Sequence, residues 1–188
     1  PRGEDPPPVT CDARYNAGQK RKRVRDPKAN LPAVIHAFKT PPAAEADAPA
    51  VELLSVILGQ GESSRLNRRL ARETRAAVDA QAIYNARVGP SMVWVIGVAN
   101  QGVSADSIDK LIVAEVARIG AEGITEAELT KAKNAYRTAT ITERQRSMST
   151  AEALQRAAFL LGSPEAVNTD FDRYMKVTAA DIQRVAQK

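Results

Sequence analysis

Between Val78 and Ala99 the apolar residues recur with a period of two, and beyond Asn100 every apolar pattern takes helical spacing. A chain built this way must lay helices against a sheet. Val78, Ala80, Ala82, Tyr84, Ala86 and Val88 alternate with Asp79, Gln81, Ile83, Asn85 and Arg87, the pattern of a strand with one apolar face. Gly89-Pro90-Ser91 predicts a turn. The return run Met92 to Ala99 is apolar on both sides, which predicts a strand at the centre of its sheet. Upstream, Gln19 to Arg25 and Leu31 to Phe38 read as two more strands joined through the turn-forming residues 26–30.

Helix signals fill the rest. Val51, Leu54, Ile57 and Leu58 share one helical face, with Asp47 expected as the cap, Pro49 in the first turn and Gly59 and Gly61 as the stop. Ser63 is then expected to cap a second helix. In it, Leu66 and Leu70 point one way, while Arg65, Arg68, Arg69 and Arg72 recur at i, i+3, i+4 and i+7 on another face. Downstream, Ile108, Leu111, Ile112, Val116 and Ile119 form a core stripe closed by Gly120 and Gly123. Thr125 to Glu128 spells a capping box, with Ile124 and Leu129 placed as a hydrophobic staple, and starts a helix that runs to about Arg144. Ser149 to Glu152 repeats the box ahead of Leu154, Ala157, Ala158 and Leu161. Gly162-Ser163-Pro164 ends that helix and starts another, and Thr178 to Asp181 caps the last. The fold class is α+β, an antiparallel sheet with helices packed on one face.

The proline-rich opening, residues 1–17, reads as a linker from a longer polypeptide, and residues 18–188 as one α+β domain. No apolar run approaches the roughly 20 residues of a membrane-spanning helix. The opening residues Pro1 to Pro8 also lack the hydrophobic stretch of a signal peptide. Cys11 is the single cysteine, so no internal disulfide forms. A net charge of +5 invites a nucleic-acid reading, but only 4% of residues are aromatic, so stacking platforms are scarce. The run Lys20 to Arg25 reads as a solvated charged strand.

Catalytic equipment is nearly missing. His36 is the one histidine and lies in an apolar strand, where it reads as structural. Cys11 and His36 together do not build a zinc site, and a serine triad would have to use His36 with no serine placed beside it. Gly59-Gln60-Gly61 follows a helix and lacks a third glycine, so it is not a dinucleotide fingerprint. The expectation is therefore no catalytic residue and no metal ligand. What is left is the arginine helix, whose planar donor forks suit carboxylates and peptide carbonyls. Its plainer reading is a solvated face paired with Glu62, Glu73 and Asp79. Arg72 stands apart, because it lies near the helix end that feeds the long strand, where a side chain can line a cleft beside the sheet.

Several segments carry a resemblance to a known family: Leu31-Pro32-Ala33-Val34 leading to Thr40-Pro41, Asp47, Leu58 to Leu66, Arg72-Glu73-Thr74-Arg75, Gly123 to Leu129, and Tyr174 with Val177 to Asp181. In order and spacing the chain resembles the C-terminal, non-catalytic half of the pitrilysin/insulinase-type zinc metallopeptidases, the family of mitochondrial processing peptidase. The resemblance implies a domain that is inert alone and completes a substrate chamber around an extended peptide when paired with a zinc-bearing half or subunit. The zinc cofactor is then expected in that catalytic half, whose His-x-x-Glu-His motif is absent here. It also implies Arg72 as a substrate-binding residue, one member of an arginine–tyrosine pair; at the tyrosine position this chain has Asp79. The periplasm or cell envelope is the compartment the resemblance favours. The readings from other classes are a basic interaction module, binding nucleic acid or acidic partners through the arginine stripe, and a scaffold half without a proteolytic role.

Overall fold

A computed structural model describes residues 18–188. The expected linker and Cys11 lie outside the described residues. A three-stranded antiparallel sheet has the order β1 (Ala33–Thr40), β3 (Ser91–Ala99), β2 (Ala77–Asn85). β3 is central, as its two apolar faces require, and its residues alternate between buried and half-buried along the whole strand. Gln19 to Arg25 corrects the expectation of a fourth strand: it is exposed and forms none. The consecutive cations Lys20 to Arg23 fall on both faces and leave it no apolar side to bury, and Arg21 instead reaches Asp106 and Asp109 at 2.7 and 3.3 Å, at the start of the first helix after the sheet.

Helices cover one face only. Helix α1 (Ala48–Gly59) lies over β2, and α2 (Ala105–Glu122) lies over β3 and β1. Both approaches depend on missing side chains. A Cβ on Gly59 would stand 1.9 Å from the Ala82 backbone nitrogen, and one on Gly97 would stand 2.6 Å from Ile108 Cγ2. Helices α3 (Glu126–Glu143), α4 (Ser147–Leu161), α5 (Val167–Met175) and α6 (Ala179–Gln187) complete the layer, with a 3₁₀ turn at Pro164–Ala166. The core runs from Leu53 and Leu58 of α1 through Val93 and Val95 of β3 to Ile108, Ile112 and Ile119 of α2 and Ile182 of α6. The other face of the sheet is left open: Ile35 of β1 is 65% exposed and Ile83 of β2 is 42% exposed, flanking half-buried Trp94 and Ile96.

Local signals are realised unevenly. Thr125 with Glu128 and Thr178 with Asp181 form complete capping boxes. Asp47 occupies the cap position of α1 but makes no capping bond; its carboxylate faces Arg184 at 2.8 Å and Lys188 at 2.7 Å on α6 and the C-terminus. Ser63 does not cap either: the helix begins two residues later, at Arg65, and the Ser63 hydroxyl takes the Lys131 ammonium. The expected box at Ser149 falls inside α4, which starts at Ser147, and Thr150 donates back to the Arg146 carbonyl at 3.0 Å. The buried stripe of α4 is accordingly shifted to Ala153 and Ala157, leaving Leu154 and Ala158 exposed.

Candidate functional site

Residues 65–73 leave the Gly61 turn as helix, and from Asn67–Glu73 that helix is π-wound, with the Thr74 N–H donating to the Arg69 carbonyl five residues back at 3.1 Å. The wider turn breaks the 3.6-residue repeat on which a shared arginine face depends. Leu66 and Leu70 still point into the core, both 0% exposed. The arginines separate. Arg65 is turned inward, 8% exposed, and grips Glu128 with two parallel bonds, Nε to Oε1 at 2.7 Å and Nη2 to Oε2 at 2.8 Å, while Nη2 also donates to the Gly123 carbonyl at 3.1 Å. Its guanidinium holds the Glu128 carboxyl down at about 2, well below the usual glutamate value. Arg65 is thus a bolt between the π-helix and the capping box of α3.

Arg68 and Arg69 converge on Glu73 at 3.6 and 3.0 Å, and Arg72 Nη2 donates to Glu62 Oε2 at 2.6 Å. All three stay in solvent. Asp79 pairs with none of them and accepts from Gln81 instead, at 3.3 Å. A single basic face of four arginines is therefore not formed: one is structural and three are surface-paired.

Arg72 ends up where the sequence placed it, at the mouth of the strand that follows. The junction is held by one local bond and by two from Asn100, just past β3. Thr74 Oγ1 donates to the Arg69 carbonyl at 2.9 Å, Asn100 Nδ2 donates to the Arg75 carbonyl at 3.2 Å, and the Asn100 N–H donates to the Ala76 carbonyl at 2.7 Å. Arg75 takes φ 52°, in the left-handed region that a non-glycine residue seldom visits. β2 then opens with a bulge, because Ala77 pairs with Ala99 and Asp79 already with Val98, so Val78 has no partner. The bulge turns Val78 outward, 53% exposed, and gives its expected inward place to Ala77. A π-turn, a left-handed arginine and a bulge follow one another within twelve residues, 67–78. Such irregularities gather at functional sites.

Chemically, this rim offers donors and no reacting group. One Arg72 nitrogen is engaged with Glu62, and the other N–H groups of the fork are open to a carbonyl or carboxylate. His36 is half-buried on β1, with Nε2 2.9 Å from Asp109 Oδ1 in a close contact bent away from good hydrogen-bond geometry, and its ring stacked on Phe38. These donors do not fit a zinc ion. The only histidine already faces a carboxylate on α2, and no three His, Cys, Asp or Glu side chains converge among the described residues.

The family model for the Peptidase M16 inactive domain matches residues 2–136. The chain belongs to this family. Among curated relatives, the zinc protease PqqE of Helicobacter pylori is 28% identical over 173 residues, which cover 91% of this chain and 38% of the relative. The chain thus spans well under half of that protein. A protease structure from Helicobacter pylori superposes with a TM-score of 0.80 at 26% identity, over 87% of this chain and 39% of the other. An inactive peptidase domain from Bordetella parapertussis gives 0.77 at 21% identity, over 84% and 85%. The M16 inactive-domain fold agrees with the helix-on-sheet architecture read from the sequence, and membership agrees with the non-catalytic role. Sequence reasoning passed over one group: Glu52, with Tyr84, Tyr136 and Tyr174. Its trace is a lone carboxylate inside the apolar run Ala50-Val51-Glu52-Leu53-Leu54.

Proposed function

We propose that this M16 inactive domain supplies part of the wall of a peptidase's substrate chamber, paired with a zinc-bearing half that performs the hydrolysis. Zinc belongs to that half. Two observations support the reading on a domain of this family: an exposed Arg72 fork on the helix that leads into β2, and an uncovered, largely apolar face on the same sheet. An extended peptide has two needs, apolar surface for side chains and donors for its carbonyls, and this domain carries both. In this reading Arg72 is a substrate-binding residue, and Glu62 holds its fork in place until a peptide carbonyl or carboxylate competes.

The test adds a zinc-bearing half of a related peptidase to the chain and follows cleavage of an unfolded peptide. The expected outcome is no cleavage by the chain alone with zinc, and cleavage with the partner. Arg72→Ala should then reduce kcat/KM by roughly tenfold or more, the worth of a charge-assisted hydrogen bond, with the thermal midpoint unchanged. Robust zinc-dependent cleavage by the chain alone would overturn the reading. Asp79 supports the second reading, a scaffold half: a carboxylate cannot donate as a phenol does at neutral pH. Absence of cleavage with the zinc-bearing partner would favour that one, and full activity of Arg72→Ala would return that side chain to a solvated surface role.

A further inference from the structure

At the end of β2 away from Arg72, a cleft of about 410 Å³ opens between the N-terminal half of α1 and helices α3, α4 and α5. Its size suits a small ligand or one side chain. Glu52 of α1 lines it, flanked by buried Val51 and Leu53, and accepts one hydrogen bond, from the Tyr174 hydroxyl at 2.5 Å. No cation touches this carboxylate among the described residues. The cations around the cleft are committed elsewhere. Arg173 bonds Asp170 at 2.9 Å and the Glu45 carbonyl at 2.8 Å, Arg156 holds Glu143 at 3.1 Å, and Arg144 donates to the Val167 carbonyl at 2.7 Å. Glu52 is therefore the one carboxylate here without a counter-ion, in a place where burial already pushes its pKa up.

Three further features point the same way. The Tyr84 hydroxyl lines the cleft, is buried, and meets no partner in good hydrogen-bond geometry among the described residues; the Ser91 hydroxyl beside it accepts from the Arg87 N–H. Tyr136 and Tyr174 stack with centroids 3.7 Å apart on the same cleft, and aromatic faces attract cations. Beyond them the wall turns apolar at Ala153, Ala157 and Leu160, room for an alkyl stem.

We propose that this cleft binds an organic cation, a guanidinium or primary ammonium on an alkyl stem, with Glu52 as its counter-ion and the Tyr84 hydroxyl as an acceptor. The site is separate from the Arg72 rim and stands whether or not that rim binds peptide. Arg144, Arg156 and Arg173 are each bonded within the chain, so Glu52 is the charge left unmatched in the cleft, which disfavours an anion, and the volume limits the ligand to a small molecule or one side chain.

The test titrates the 188-residue chain with n-butylguanidinium and n-butylammonium by calorimetry, with the near-isosteric neutral n-butylurea as control. The expected result is saturable binding of the cations, weaker by about tenfold or more for n-butylurea and for Glu52→Gln, whose amide keeps the Tyr174 bond but drops the charge. Tyr84→Phe should weaken binding several-fold without disturbing the fold, and it decides the matter should Glu52→Gln fail to fold. A blocked peptide with a single arginine that binds as well identifies the source as a peptide side chain; binding of the free amines alone identifies a small metabolite. Equal binding of n-butylurea, unchanged binding by the variants, or no saturable heat at millimolar cation overturns the proposal.

Discussion

Arg65 is a charge carried into the interior, and it is stable there because every direction it points is answered: two bonds to Glu128, one to the Gly123 carbonyl, and Glu115 4.0 Å away. Glu115, only 3% exposed on α2, depends on the same cluster and also takes Arg118 at 2.8 Å. Removing the arginine would leave Glu128 with Thr125 alone and the buried Glu115 with Arg118 alone. Arg65→Ala should therefore cost about 3 kcal/mol, the usual penalty for breaking an enclosed pair from one side, measured by urea denaturation at neutral pH. Arg65→Lys should recover only part, since a single ammonium cannot make the parallel pair of bonds. A loss below about 0.5 kcal/mol for Arg65→Ala, the range of an exposed pair, would show that the contact is idle. By sequence alone Arg65 is indistinguishable from Arg68, Arg69 and Arg72, because all four fit one face of an ordinary helix. Its role follows from the π-wound turn, a backbone state set by tertiary packing.

Elements whose signals are purely local are legible in the sequence itself. Thr125 and Thr178 cap because everything needed lies within four residues, and β3 is central because its own composition demands cover on both faces. Local signals fail where a distant partner outbids the near one. Asp47 turns to α6, Ser63 to Lys131 on α3, and Val78 is displaced by a bulge that no alternation pattern encodes. The candidate site is half legible: Arg72 lies at the end of the helix that leads into β2, while the Glu52 cleft needs five elements brought together. Gly59 is the sharpest case of an element contact hidden in the sequence. It reads as a helix stop, yet its stronger duty is to let α1 touch the β2 backbone, with no room for a methyl group beside Ala82. Gly59→Ala should push the helix off the strand and cost about 3 kcal/mol, at the upper end for overpacking. Gly61→Ala makes the control. Nothing lies within 4 Å of its added Cβ, so only the positive φ of 80° is penalised, by about 1–2 kcal/mol. Equal thermal midpoints for the two variants would refute the close-contact argument.

Over the whole molecule, acid acts on two opposed sets of carboxyls. Asp47, held by Arg184 and Lys188, and Glu128, held by Arg65, titrate at about 2 in the folded chain against ordinary values of 3.8 and 4.5. A carboxyl lowered by folding adds stability that is complete above its unfolded pKa and is lost as pH falls through its folded one. Their contribution is therefore full above about pH 5 and drains away between pH 4.5 and 2. Glu52 has the reverse sign. Burial raises its pKa, so its ionised form costs stability at high pH, and that cost is relieved as pH falls through the folded value. Two variants separate the sets when unfolding is followed through the single Trp94. Asp47→Asn/Glu128→Gln should be less stable than the parent at pH 7 and nearly equal to it at pH 2, with a flattened profile between. Glu52→Gln should be more stable than the parent at pH 7, and its advantage should shrink as acid is added. A Glu52→Gln chain that is weaker than the parent at pH 7 would mean that the ionised carboxylate already has a counter-ion in the folded chain, and would assign the acid profile to the Asp47 and Glu128 pairs alone.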